Sequence, residues 1–118
     1  MDGADAILLL NKLRDEGITV LCSVVSFGVN LRLLGKVSKV EVDGAEITSD
    51  DGKAAVRIAL LADGLGFEYR QAREYPELTL PEGSRDIMAL VIVFPDRGMM
   101  PCRERAIIVE VPKAERSG

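Results

Sequence analysis

The chain reads as a mainly β, single-domain protein: an N-terminal α-helix packed on a small, strongly bent antiparallel barrel or curled sheet of six to seven strands. Three observations predict this. Apolar residues recur at helical spacing only up to Gly17, after which β-branched residues take over. Asp-Gly dipeptides at 43–44, 51–52 and 63–64 cut the middle of the chain into hairpin lengths, which describes a meander rather than βαβ units. Finally, the run Leu31 to Gly44, LRLLGKVSKVEVDG, is a long strand with a glycine inside it.

Residues 3–16 are expected to be helical. Asp2 caps the first turn, Ala6, Leu9, Leu10 and Leu13 recur at three- and four-residue spacing, and Gly17 supplies a left-handed stop. A helix this short needs a packing partner for its leucine face, and the sheet is the candidate. ITVLCSVVSF, 18–27, follows as the first strand, with Gly28, Val29 and Asn30 as a turn.

The second strand, Leu31 to Val42, changes its inward parity. Leu31, Leu33 and Val37 are odd, whereas Val40 and Val42 are even. Because strand side chains alternate strictly, a slip between Val37 and Val40 requires a β-bulge or a sharp bend, and Gly35 is where a bend costs least. Ala45 to Ser49 is a short third strand between two Asp-Gly turns. Lys53 to Leu61, KAAVRIALL, alternates as a fourth, although its alanines would also suit a helix. LGFEYRQA, 65–72, continues the meander.

Residues 73–86 hold two prolines, a glycine and several charges, and read as an irregular surface connection. Ile87 to Phe94, IMALVIVF, is apolar on both parities and is expected to be buried on both faces at the centre of the fold. A loop, DRGMMPCRE, leads to the last strand, Arg105 to Val111. The domain is taken as 1–112, with 113–118 a frayed tail.

Composition narrows function more than it identifies it. The 118 residues are 47% hydrophobic and 29% charged, a globular balance, and the net charge of −4 works against tight binding to a phosphate backbone. With no histidine and only Cys22 and Cys102, zinc-site spacings and Ser-His-Asp or Cys-His centres are excluded. The cysteines read as free thiols, with one disulfide as the alternative, and Cys22 as a core residue. The N-terminus carries acidic residues where a signal peptide needs positive charge, and its apolar run is far too short to span a membrane, so a cytoplasmic protein is expected.

The stretch Gly35-Lys36-Val37-Ser38-Lys39-Val40-Glu41 resembles the first motif of the Sm-like family of small β-barrels. In that motif a glycine is followed two residues on by an aliphatic residue, five on by another and six on by an acid. The resemblance implies the barrel and ring-like self-association through exposed strand edges. It does not carry the family's RNA site over, because the base-gripping asparagine four residues after the acid is Ala45 here. The second motif, a basic residue followed by glycine between the last two strands, is also missing: Val91 to Pro95 stays apolar, and Asp96-Arg97-Gly98 lies in the loop.

Two polar constellations stand out. Arg97, Met99, Met100 and Arg103 combine adaptable thioethers with arginines, the chemistry of a protein-docking loop. Tyr69, Arg70 and Arg73 offer a ring to stack on a base and charges for phosphates, the chemistry of single-strand nucleic-acid binding. The acids Asp43, Glu46, Asp50 and Asp51 gather near two turns without the spacing of a calcium loop. No cofactor motif and no catalytic constellation is present. The expected function is therefore a non-catalytic module that binds a protein partner or a second copy of itself, with Sm-like single-stranded nucleic-acid (RNA) binding as the alternative.

Overall fold

The computed structural model describes residues 1–26, 29–61, 64–75, 78, 87–95 and 104–111. The helix α1 spans Gly3–Asp15. Asp2 caps it, its carboxylate accepting from the Asp5 amide at 2.9 Å. At the other end Gly17 takes φ +62° and donates to Arg14 while Ile18 donates to Leu13, both at 3.1 Å. This paired closure is the Schellman motif, and the glycine is what makes its left-handed residue cheap.

The strands are β1 (Thr19–Ser26), β2 (Val29–Glu41), β3 (Gly44–Ser49), β4 (Ala55–Ala59), β5 (Gly66–Gln71), β6 (Met88–Val93) and β7 (Arg105–Glu110). They form one antiparallel sheet in the order β4-β3-β2-β1-β7-β6-β5. Two meanders, β1 to β4 and β5 to β7, are thus joined by pairing of the last strand with the first. The sheet is not closed. Neighbours alternate in direction, so with seven strands the outermost two, β4 and β5, run the same way, and closing the sheet would need a parallel pair among antiparallel ones.

Chain connectivity nevertheless forces the sheet to curl. Ala59 ends β4 on one edge and Gly66 begins β5 on the other, and the stretch between them reaches at most about 25 Å. Six strand spacings of a flat sheet would already separate the two edges by about 29 Å. The concave side so created holds the main core. Ala6, Leu10 and Leu13 of α1 pack there against Val20, Cys22, Val37, Ala45, Ile47, Ile58, Leu90, Ile92, Ala106 and Ile108, drawn from every strand but β5. Partly buried Phe67 adds β5, so the helix touches both halves of the sheet.

The parity slip in β2 is a β-bulge. Val37 pairs with Ile47 and Lys39 with Glu46, so Ser38 is the extra residue. Its hydroxyl lies 2.8 Å from that of Thr48 and 3.2 Å from the Glu46 carbonyl oxygen, which it donates to. Gly35 serves the same corner in a different way. A Cβ there would stand 2.7 Å from the Thr48 carbonyl carbon and 2.8 Å from the Ser49 Cα, so β3 crosses too close for any side chain. Two residues assigned inward do not pack there: Leu31 is half exposed, and Val42 lies in the turn, 70% exposed. The β2–β3 loop is Val42-Asp43, and Gly44 is already in β3. Its glycine is needed for close approach, since a Cβ would meet the Ile58 carbonyl oxygen at 3.0 Å.

β6 is buried on both faces, as its composition predicts: Leu90 and Ile92 face the concave core, Ala89 and Val91 the convex side. The convex cover comes from the connection expected to be irregular surface. Ala72–Glu74 forms a 3-10 turn, and both Ala72 and Leu78 are buried against Ala89, Val91, Ile107 and Val109. Leu78, an apolar residue in a largely polar stretch, is what seats the described part of this connection on the convex face as a strap. Residues 53–61 contain a strand and no helix. The expected tail, 113–118, lies outside the described residues.

Candidate interaction surface

The two outer strands carry the backbone groups that the sheet leaves over. In an antiparallel ladder every second residue directs both its N–H and its C=O at the neighbour, and the intervening residues direct theirs away. Ser49 donates to Ala54 at 2.8 Å and Leu60 to Asp43 at 3.0 Å, which sets the phase of β3–β4. Val56 and Ile58 therefore bond β3, while Ala55, Arg57 and Ala59 direct their backbone groups outward. Ala72 donates to Ile87 at 2.8 Å, which sets the phase of β5–β6. Phe67, Tyr69 and Gln71 accordingly present the free edge of β5. Among the described residues neither edge has a strand beside it.

The two edges differ in their side chains. On β4, Ile58 and Val56 belong to the concave core and Arg57 stands on the convex face. Arg57 is held by Asp43 at 3.2 Å and Glu41 at 3.7 Å, the latter also 3.2 Å from Lys39. β5 has Phe67 and Tyr69 on its concave side and Glu68 and Arg70 on its convex side. The Arg70 guanidinium reaches Glu68 at 2.9 Å and Glu74 at 3.3 Å. The Glu68 hydrogen bond, ahead of its charge and of Glu74, holds the guanidinium above its ordinary pKa.

An open recess of about 410 Å³ runs along β5, lined by Met1, Phe67, Tyr69, Met88 and the Glu68–Arg70–Glu74 group. Tyr69 is 46% exposed in it. A second cavity of about 30 Å³ is lined by the same tyrosine together with Leu9 and Leu13 of α1 and Leu90 and Ile108 of the sheet. Tyr69 thus borders both the solvent-facing recess and the small cavity beside α1.

The sequence-predicted residues fall as follows. Tyr69 and Arg70 are adjacent on β5 but point to opposite faces, and Arg73 sits exposed in the 3-10 turn. Tyr69 and Arg70 nevertheless both border the recess along β5, Arg73 is not among its lining residues, and Arg70 is engaged by two carboxylates. Arg97, Met99, Met100 and Arg103 lie outside the described residues, as does Cys102. Asp43 is committed to Arg57, and Asp51 to a turn in which it accepts from Ser49 Oγ at 2.6 Å and the Lys53 amide at 2.9 Å. The Ser49 bond first, then that of Lys53, lowers the Asp51 pKa. Cys22 is a free thiol, buried in the concave core, and burial pushes its pKa to about 12.

Sequence reasoning missed the fastening of the convex strap. Arg32 Nη2 donates to the Leu78 carbonyl at 2.6 Å, and the Arg105 guanidinium lies 5.7 Å from the centre of the Tyr75 ring. Partial burial, more than the nearby Glu68, raises the Tyr75 phenol above its usual range. A hint was present: Arg32 interrupts an otherwise apolar LRLL, and an arginine on the outer parity of a strand asks for a partner.

Among the described residues no helix is long and apolar enough to cross a membrane. Comparison with protein-family models, with curated proteins and with solved structures finds no match for this chain.

Proposed function

We propose that this protein is a non-catalytic assembly module that associates with a second copy of itself, or with another protein, by adding a strand to a free edge of its curled sheet. One observation carries the reading: an odd number of alternating strands leaves β4 and β5 with no antiparallel way to pair with each other, so among the described residues two sets of backbone donors and acceptors stay directed outward. Unpaired edges of this kind are templates for strand addition, and proteins that do not use them tend to blunt them with proline, bulges or inward charges. Neither β4 nor β5 has a proline, and the bulge in this sheet lies in β2, away from both. The bulge falls within the stretch that resembles the Sm-like motif, which supports an Sm-like relationship as a proposal about the fold.

The test is sedimentation of the full chain from micromolar to millimolar concentration. Reversible association that is lost in the double variant Arg57→Pro/Tyr69→Pro supports the reading. Each substitution removes an outward N–H and leaves the β3–β4 and β5–β6 ladder bonds in place, although Arg57→Pro also releases Glu41 and Asp43. A strict monomer over the whole range, with no effect of changing Met99, Met100 and Arg103 on capture of any partner, would end it.

A further inference from the structure

We infer that the β5 edge is the self-association surface, and that it pairs antiparallel with β5 of a second copy about a two-fold axis through Tyr69. This rests on the assembly reading above and names the edge, the partner and the register. Because Phe67, Tyr69 and Gln71 present the outward backbone groups, an antiparallel two-fold join centred on Tyr69 places Tyr69 opposite its own copy and Phe67 opposite Gln71 in hydrogen-bonded pairs. Glu68 then stands directly opposite Arg70 of the other copy, and Arg70 opposite Glu68. Each existing Glu68–Arg70 pair, 2.9 Å within its own strand, becomes half of an alternating four-charge cluster.

The same charges pin the register. Sliding one hydrogen-bonding step in one direction sets Glu68 against Glu68, and in the other direction Arg70 against Arg70, and like charges directly opposed are destabilising. β4 lacks this complementarity, since its centred two-fold join puts Arg57 opposite Arg57. An antiparallel join of β4 to β5 fails on geometry. The outward residues of β4 carry their side chains on the convex face and those of β5 on the concave face, so the two sheets would curl to opposite sides. The two-fold β5 join keeps both concave faces, and both helices, on one side. The open recess of about 410 Å³ along β5 is bordered by Phe67 and Tyr69 of the concave face and by Glu68 and Arg70 of the convex one, so the edge is accessible from both sides.

Sedimentation of single and paired variants tests this. Glu68→Arg and Arg70→Glu each oppose like charges twice across the axis and should each raise the dimer Kd roughly tenfold, and the double reversal should return it to within about twofold of the parent. Tyr69→Pro should abolish the dimer and Arg57→Pro should leave it intact. A dimer that survives Tyr69→Pro but not Arg57→Pro overturns this inference and leaves the strand-edge reading standing. Single reversals that weaken association without rescue by the double overturn the register, and a parent chain that stays monomeric overturns both. Circular dichroism of each variant identifies any that fail to fold, and the charge reversals decide the matter if the proline variant does.

Discussion

Gly35 of β2 and Thr48 of β3 approach so closely that the glycine's missing side chain is a structural requirement. A Cβ would stand 2.7 Å from the Thr48 carbonyl carbon and nearer still to its oxygen, and these are backbone atoms with no rotamer to move. Gly17 offers the contrasting case, with φ +62° and nothing within 4 Å of its would-be Cβ. Gly35→Ala should therefore cost about 3 kcal/mol or more through forced separation of two strands. Gly17→Ala should cost only about 1 kcal/mol, through its backbone conformation alone. Urea unfolding of the two variants checks the ordering, and equal losses would mean that the β2–β3 corner relaxes freely.

The strap over the convex face should depend on Arg32. Leu78 is fully buried, and Arg32 donates to its carbonyl at 2.6 Å across 46 residues of sequence. Arg32→Met keeps much of the aliphatic stem and removes that donor, leaving a buried carbonyl short of a bond, which costs about 1–3 kcal/mol. The loss should appear first as faster hydrogen exchange at the Leu78 amide, which itself bonds the Tyr75 carbonyl at 3.0 Å. Unchanged exchange in the variant would show that apolar packing alone holds the strap.

These two sites also mark where the fold is legible in the sequence and where it is not. Local chemistry reads well: the Asp2 cap, the Gly17 stop and the apolar run at 87–94 each depend on neighbours in the chain, and each is found within a residue or two of its expected place. The bulge was readable too, because an alternation that breaks between Val37 and Val40 leaves few physical solutions. What escaped depends on contacts far apart in sequence. Leu31 looks like its neighbour Leu33, yet only packing decides that Leu33 joins the core while Leu31 stays half exposed. Leu78 sits among prolines and charges, and only the convex face explains its burial. The candidate edge was hidden for the same reason. FEYRQ reads as any half-buried strand, and its status as an outer strand follows from topology, which pairs β7 with β1 and leaves β5 without a second neighbour among the described residues.

The turn at 49–53 should make a small contribution that depends on acid. Asp51 accepts from Ser49 Oγ and the Lys53 amide, and both bonds favour its ionised form. Its folded pKa lies below the unfolded value, so the stabilisation is present above the unfolded pKa and is lost as pH falls through the folded one. Asp51→Asn should lower the unfolding midpoint at neutral pH and draw level with the parent in acid. A gap between the two proteins that persists at low pH would assign the effect to shape rather than charge.

At the alkaline end the governing group is Cys22. Burial raises its pKa from 9.0 to about 12, so the folded protein keeps a proton that the unfolded chain gives up. Stability from this source is complete below about pH 9 and falls between about 9 and 12 by up to about 1.4 kcal/mol per pH unit. Alkali acts on the chain at more than one place, so the informative quantity is the difference between the parent and Cys22→Ala. The alanine variant starts lower, because it leaves a small cavity beside its cross-strand partners Leu33 and Ile108, but its alkaline slope should be shallower by the share of one thiol. Thiol-reactive reagent should also leave Cys22 unmodified in the native protein at neutral pH and label it on unfolding. Parallel alkaline slopes for the two proteins, or rapid native labelling at this position, would show that the concave core opens to water and that α1 does not seal it.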